Sequence, residues 1–228
     1  NNIINSNNNI QNNNITIKGP KKKLEQLENA AREGKFLNFL YPMPKDLEGT
    51  EANGTTRKNL EKLYGHSDWY SWRTTNWSTK WEIDIYDGSI QTKQELLGKE
   101  EGEAELSFGF DTAWAPPIGA YEHYIENNPD VSFNAYYFEG GCDFMGNWCD
   151  HIDNCYQVSD VTDKQLRTEY RVLDDLYGIL ESREHFRQDL IDDGNYEDAR
   201  RWLVEHAGMD EDEADEYIED NKQQEETA

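Results

Sequence analysis

The sequence is short of several things, and each shortage excludes something. Cysteine is scarce and odd in number, three in 228 residues, all between Cys142 and Cys155. A disulfide scaffold needs a denser, even set, so reduced thiols and a cytoplasmic compartment are expected. No apolar run approaches the roughly 18 residues that a membrane span needs. The first residues show no basic stretch followed by an apolar one, so no secretory signal is expected either. Basic side chains are also few, 22 Lys and Arg against 47 Asp and Glu, for a net charge of −25. A surface this negative repels phosphate backbones and anionic lipid, which removes direct nucleic-acid and membrane binding from the expected partners. It suits a basic protein surface, or serves solubility alone.

Catalytic signatures are missing as well. The chain holds no nucleophile elbow, no phosphate-cradling glycine-rich loop and no His-Glu-x-x-His helix. Asp84, Asp111, His123 and Glu139 sit near predicted strand and helix ends, where polar groups commonly cap or solvate. These features read against an enzyme, and no catalytic residues are assigned.

What is present is a polar frame around an aromatic centre. Residues 1–13 are rich in asparagine and bury too little to offset their ordering entropy, so they are expected to be disordered. A strand is expected from about Asn14 through the alternating Ile15 and Ile17, stopping at Gly19-Pro20. A helix with the stripe Leu24, Leu27, Ala30 and Ala31 follows, closed by Gly34. Six of the seven tryptophans lie between Trp69 and Trp148, most of them in an inserted, Trp-rich region. Alternating strands are then expected near residues 82–86 and 104–110, a helix over 117–127, a strand over 131–138, and a hairpin over 143–158. Without the insertion the order is βαββαβ. The expected fold is therefore α+β, a ferredoxin-like split βαβ antiparallel sheet with two helices on one face, over residues 14–160.

An acidic helical extension is expected over 161–221, with a disordered tail over 222–228. Leu166, Tyr170, Leu173, Tyr177 and Leu180 mark one face of a helix from about Asp163. A second helix, capped by Asn195 with Asp198, carries Trp202 and Leu203 to a stop at Gly208. A third begins at Asp210 and Glu213 and buries Ala214, Tyr217 and Ile218. Residues 181–228 hold 18 acidic against 5 basic side chains, a net of −13 and about half of the whole excess.

Several strings in the middle of the chain occur in a telling order. They are Ile15-Thr16-Ile17-Lys18-Gly19-Pro20, Tyr41-Pro42-Met43-Pro44, Asn76-Trp77-Ser78-Thr79-Lys80-Trp81, and Phe110-Asp111-Thr112-Ala113-Trp114-Ala115-Pro116-Pro117. With Glu139-Gly140-Gly141 and Gly146-Asn147-Trp148, they resemble the YubB ferredoxin-like domain of phage and plasmid proteins, over about Asn14 to Val158. The resemblance implies a ferredoxin-like fold and an accessory role on a mobile element, with no activity to carry over. Two features depart from it: the asparagine-rich start, where relatives often begin with a Pro-Asn-Trp-Cys-like string, and the acidic extension.

Three constellations are candidates for function. The first is the acidic extension, through Asp189, Asp192, Asp193, Glu197, Asp198, Glu205, Asp210, Glu211, Asp212, Glu213, Asp215 and Glu216. Carboxylates spaced on rigid helices imitate a duplex phosphate row and suit a basic surface of a host or mobile-element protein; soluble tails have the same composition. The second is a groove lined by Trp69, Trp72, Trp77, Trp81 and Trp114, against the alternative that these rings are core. The third is Cys142, Cys149, His151 and Cys155, of the right type for tetrahedral zinc but poorly spaced for it, so that no cofactor is expected and buried thiols are the alternative.

Overall fold

The computed structural model describes residues 10–52, 57–93 and 102–225. The expected disorder of residues 1–9 and 226–228 lies outside these. The chain divides into two compact units, one of residues 1–142 and 146–155, the other of residues 143–145 and 156–228.

The first unit is built on β1 (Ile10–Pro20). It pairs antiparallel with β4 (Glu103–Ala113) on one side and with β5 (Ser132–Glu139) on the other. Strand β1 therefore starts four residues before Asn14, and residues 10–13 are not disordered. The cause is pairing on both edges. Asn13, expected to stay in water, is buried and donates its amide to the Thr112 hydroxyl at 2.9 Å and the Gln11 carbonyl at 3.0 Å. Polar side chains satisfied in this way can sit inside a sheet.

Two short strands, β2 (Asp84–Ile85) and β3 (Gln91–Lys93), both pair with β4. A hairpin of β6 (Phe144–Cys149) and β7 (Ile152–Gln157) extends the other side, and the sheet runs β2-β4-β1-β5-β6-β7. Strand β4 thus separates β1 from β2. The architecture is α+β around an antiparallel sheet.

One sheet face is apolar: Ile15 and Ile17 of β1, Leu106, Phe108 and Phe110 of β4, and Phe133 and Ala135 of β5 are all buried. Two helices bring matching stripes. In α1 (Lys21–Arg32) the buried residues are Leu24, Leu27, Ala30 and Ala31; in α5 (Ile118–Asn127) they are Ala120, Tyr121, Tyr124 and Ile125. Both sets follow the three- and four-residue spacing that puts side chains on one helical face. The inserted region contributes α2 (Phe36–Leu40), α3 (Lys58–Tyr64) and α4 (Trp69–Asn76), the last capped by the Asp68 carboxylate on the Ser71 N–H.

The second unit is helical: α6 (Asp163–Arg167), α7 (Arg171–Tyr177), α8 (Ile179–Asp192), α9 (Tyr196–Trp202) and α10 (Glu211–Glu225). The single helix expected from Asp163 is three. Thr168 leaves helical geometry at φ −120°, ψ −78°, and Gly178 is left-handed at φ 60°. The expected tail is helical as far as Glu225, and Asn195 makes no side-chain cap. The Asp210–Glu213 box is present, each side chain accepting the other residue's N–H at 2.8–3.0 Å. Ile191, Ala199, Leu203, Ala214 and Ile218 form the core shared by α8, α9 and α10.

A buried ion triad also ties α6 to α8. Asp163 accepts from Arg183 at 2.9 Å and from Arg187 at 2.7 Å, all three side chains being nearly inaccessible. Both guanidiniums also lie over the Trp202 ring, at 5.5 and 4.9 Å. Removing the anion strands two buried cations. An Asp163→Asn variant should lose about 3–5 kcal/mol in urea denaturation followed by far-ultraviolet circular dichroism. A loss below about 1 kcal/mol would show that the arginines escape to water. The aromatic core makes a parallel prediction. Trp77 is fully buried, and Trp77→Ala should cost about 3–5 kcal/mol.

Candidate functional site

The five tryptophans considered for a groove part company. Trp72 and Trp77 are core, packed edge to face at 5.9 Å, with the Trp77 indole N–H donating to the Tyr41 carbonyl at 2.8 Å. Trp69 is half-buried under the Arg73 guanidinium, 5.2 Å from its centroid. Trp148, another core ring, is fully buried. Trp81 and Trp114 are 46% and 40% exposed. Burial follows each residue's place on a turn, which composition does not encode.

These two exposed rings close on one side chain. The Lys80 ammonium lies 3.7 Å from the Trp81 centroid and 4.1 Å from that of Trp114. The cleft here has a volume of about 160 Å³, and Ile10, Glu82, Asp84, Asp111, Thr112 and Ala113 also line it. Local geometry sets the clamp. The Thr79 hydroxyl donates to the Ala113 carbonyl at 2.9 Å and ties the 78–81 segment to the end of β4. The Ser78 hydroxyl accepts the Gly119 N–H at 3.2 Å. A Cβ on Gly119 would run into the Asn76 carbonyl, so only glycine lets α5 begin there. Ser78 and Trp114 adopt left-handed φ of 67° and 73°. For an aromatic residue this is a strained conformation that the surroundings must impose.

The cleft floor is acidic. Asp84 and Asp111 are direct cross-strand partners, an arrangement that like charges disfavour. One Asp111 oxygen accepts from the Tyr86 hydroxyl at 2.6 Å and the Asn12 amide at 3.1 Å. The Tyr86 ring lies over Gly109, where any Cβ would collide with it. Glu82 accepts the Leu37 and Asn38 N–H groups at 2.6 and 3.1 Å, holding the first turn of α2. Burial raises its carboxyl above the ordinary range, and those N–H donors pull it partly back.

The other candidates fare differently. Among the described residues no three His, Cys, Asp or Glu side chains are grouped to hold a metal, so Cys142, Cys149, His151 and Cys155 do not form one centre. Nor are the thiols buried: all three are exposed. The Cys149 thiol is pushed up by desolvation and then by Asp150, which opposes a reactive thiolate. His151 sits in a left-handed turn at φ 76°. Among the described residues no helix is long and apolar enough to cross a membrane.

All twelve acidic residues singled out in the extension are exposed. Some are partly neutralised: Arg200 meets Glu211 at 3.1 Å and Asp215 at 2.8 Å, and Arg201 meets Asp198 at 2.8 Å. The lining residues missing from the sequence reading were Ile10, Lys80, Glu82, Thr112 and Ala113. The adjacent Lys80-Trp81 pair was a visible signal; Ile10 was hidden in the asparagine-rich start.

No family model matches the chain, and no curated protein does. Among solved structures, the chain is similar to the protein api92 from Yersinia pseudotuberculosis, of family DUF1281, at 10% identity. The likeness covers 66% of this chain and 98% of that one with a TM-score of 0.37. It is too weak to carry an argument.

The Tyr86–Asp111 bond gives a pH prediction. Burial first, then the hydrogen bond to Asp111, pushes the Tyr86 hydroxyl up to about 12. The folded value lies above the unfolded value of about 10, so the stability it contributes is complete below pH ~10 and is lost as the pH rises through the folded value. Ultraviolet difference titration against Tyr86→Phe should show one such tyrosine, and Asp111→Asn should lower it. An unchanged titration in Asp111→Asn would contradict the assigned cause.

Proposed function

We propose that this chain is a non-enzymatic accessory protein of a phage or plasmid whose acidic helical unit binds a basic protein surface of the host or of the element itself. The observation that carries the reading is the exposure of all twelve candidate carboxylates on helices α8 to α10 and their connections. Those helices share one buried core, so the charges are held in place and do not belong to a loose tail. Holding like charges this close costs self-repulsion, which a cationic partner relieves.

Charge spacing supports nucleic-acid mimicry as the form of this binding. Seven carboxylates lie between Glu211 and Asp220. At 1.5 Å per residue they span roughly 14 Å, about one charge per 2 Å. Duplex DNA carries about one per 1.7 Å of axis. Arg200 reduces the net density, so the match is of the order of the duplex and not equal to it. The resemblance to the YubB family supports the mobile-element context. A second reading, a small-ligand module, is favoured by a separate observation, the two indole faces left in solvent around Lys80.

The test is capture of basic proteins from bacterial lysate by the immobilised full chain. Cutting after Leu180 is unsuitable, because it removes Arg183 and Arg187 from buried Asp163. Neutralising Asp189, Asp193, Glu197, Glu205, Asp212 and Glu216 to Asn or Gln spares that triad. Capture should be strong at about 0.05 M salt and lost by about 0.5 M, and the neutralised variant should capture nothing above background. Partners that stay bound to that variant, or persist in high salt, would overturn the proposal.

A further inference from the structure

We propose that the cleft between Trp81 and Trp114 is a binding site for an organic cation, an alkylated ammonium or a guanidinium, and that Lys80 is its internal occupant, displaced when the ligand enters. This is independent of the acidic-helix reading and uses no residue of the helical unit.

Four observations converge here. The Lys80 ammonium lies over both indoles, at 3.7 and 4.1 Å. Among the described residues it makes no ion pair, so ring faces are its partners, the recognition mode used for choline-like and methylated-lysine cations. The remaining charged residues of the lining are Glu82, Asp84 and Asp111. With Lys80 they leave the cleft at a formal −2, which opposes an anion and welcomes a second cation or a replacement for the first. Asp84 and Asp111 stand opposite each other across the strands, an arrangement that a positive group between or beside them relieves. Asp111 spends one oxygen on the neutral donors Tyr86 and Asn12 and retains its other oxygen.

The fourth observation is the strain. Trp114 at φ 73° and Ser78 at φ 67° bracket the clamp from its two segments, and the Trp114 ring stays 40% exposed. Tyr70 meets Trp114 edge to face, at 6.4 Å. A core that merely needed filling would take the ring in. The volume, about 160 Å³, equals about five waters and suits a small cationic head group.

The test uses the full chain with choline and arginine amide as probes and maltose as a neutral stacking control, read by calorimetry and tryptophan fluorescence. The wild type should bind both cations weakly, because Lys80 competes. Lys80→Ala should bind them about ten-fold more tightly, while Lys80→Arg, which keeps a cation in the clamp, should stay weak. Asp84→Asn should weaken binding in the Lys80→Ala background. Trp81→Ala and Trp114→Ala should each abolish it, and since both rings are exposed these variants should keep their melting temperature. Trp114→Phe, with a smaller ring in the same place, retains partial affinity and serves if the alanine variant unfolds. Absence of cation binding by Lys80→Ala, binding of maltose equal to that of the cations, or affinity that survives loss of both tryptophans would each overturn the proposal.

Discussion

The first unit depends on one central strand being paired on both edges. Strand β1 lies between β4 and β5, so nearly every backbone group in it is paired, and a fault there would open two ladders at once. Its core-facing half divides in two. Ile15 and Ile17 bury apolar surface, whereas Gln11 and Asn13 are equally inaccessible but polar. Buried amides are tolerated only when they are bonded. Asn13 achieves this through Thr112 on the neighbouring strand. On the outward face Asn12 does the same with Asp111 and Tyr86.

That chemistry explains what the sequence showed and what it concealed. Alternation made β1, β4 and β5 legible from Ile15-Thr16-Ile17, Leu106 to Phe110 and Val131 to Phe138, and helical spacing exposed α1 and α5. The residues that extend β1 backwards were unreadable because asparagine carries no apolar signal. Its inclusion in the sheet rests on a hydroxyl at Thr112, about a hundred positions away, and local composition cannot register such a partner. Strands β2 and β3 were weakly legible for a related reason: they are short edge additions whose pairing is set by β4 and whose own periodicity is slight. In the helical unit the apolar stripe was correct but continuous in sequence, so the breaks at Thr168 and Gly178 passed unnoticed.

The early start of β1 also reaches the cleft. Ile10 stands opposite Ala113, one residue before Trp114, so the part of the strand that composition marked as disordered supplies one wall of the site. The other wall is tied on by Thr79 to the same Ala113 carbonyl end of β4. Residues at a strand's end, held by a rigid sheet yet free to leave it, are where side chains can be presented without being absorbed into the core. This accounts for the division of the tryptophans. Trp72 and Trp77 lie where α4 packs inward, and Trp81 and Trp114 lie where each segment turns away.

Charge is managed differently in the two units, and the contrast bears on which features are functional. In the helical unit the costly element is hidden and paired: two arginines meet one aspartate, and an indole covers both guanidiniums. Desolvation offsets much of the attraction in such a triad, so breaking it costs more than its net contribution to stability. In the cleft the charges meet no ion-pair partner among the described residues. A carboxylate faces a carboxylate, an ammonium sits over rings without an ion pair among the described residues, and two residues hold left-handed backbone without being glycine. The carboxylate pair and the ammonium over rings gather within one lining of nine residues, whereas left-handed non-glycine backbone also occurs at Asp143, Asp150 and His151 around the β6–β7 hairpin. Local rules fail together where a structure is built to meet something outside itself, and the sign of the charge left over says that what the cleft meets is positive.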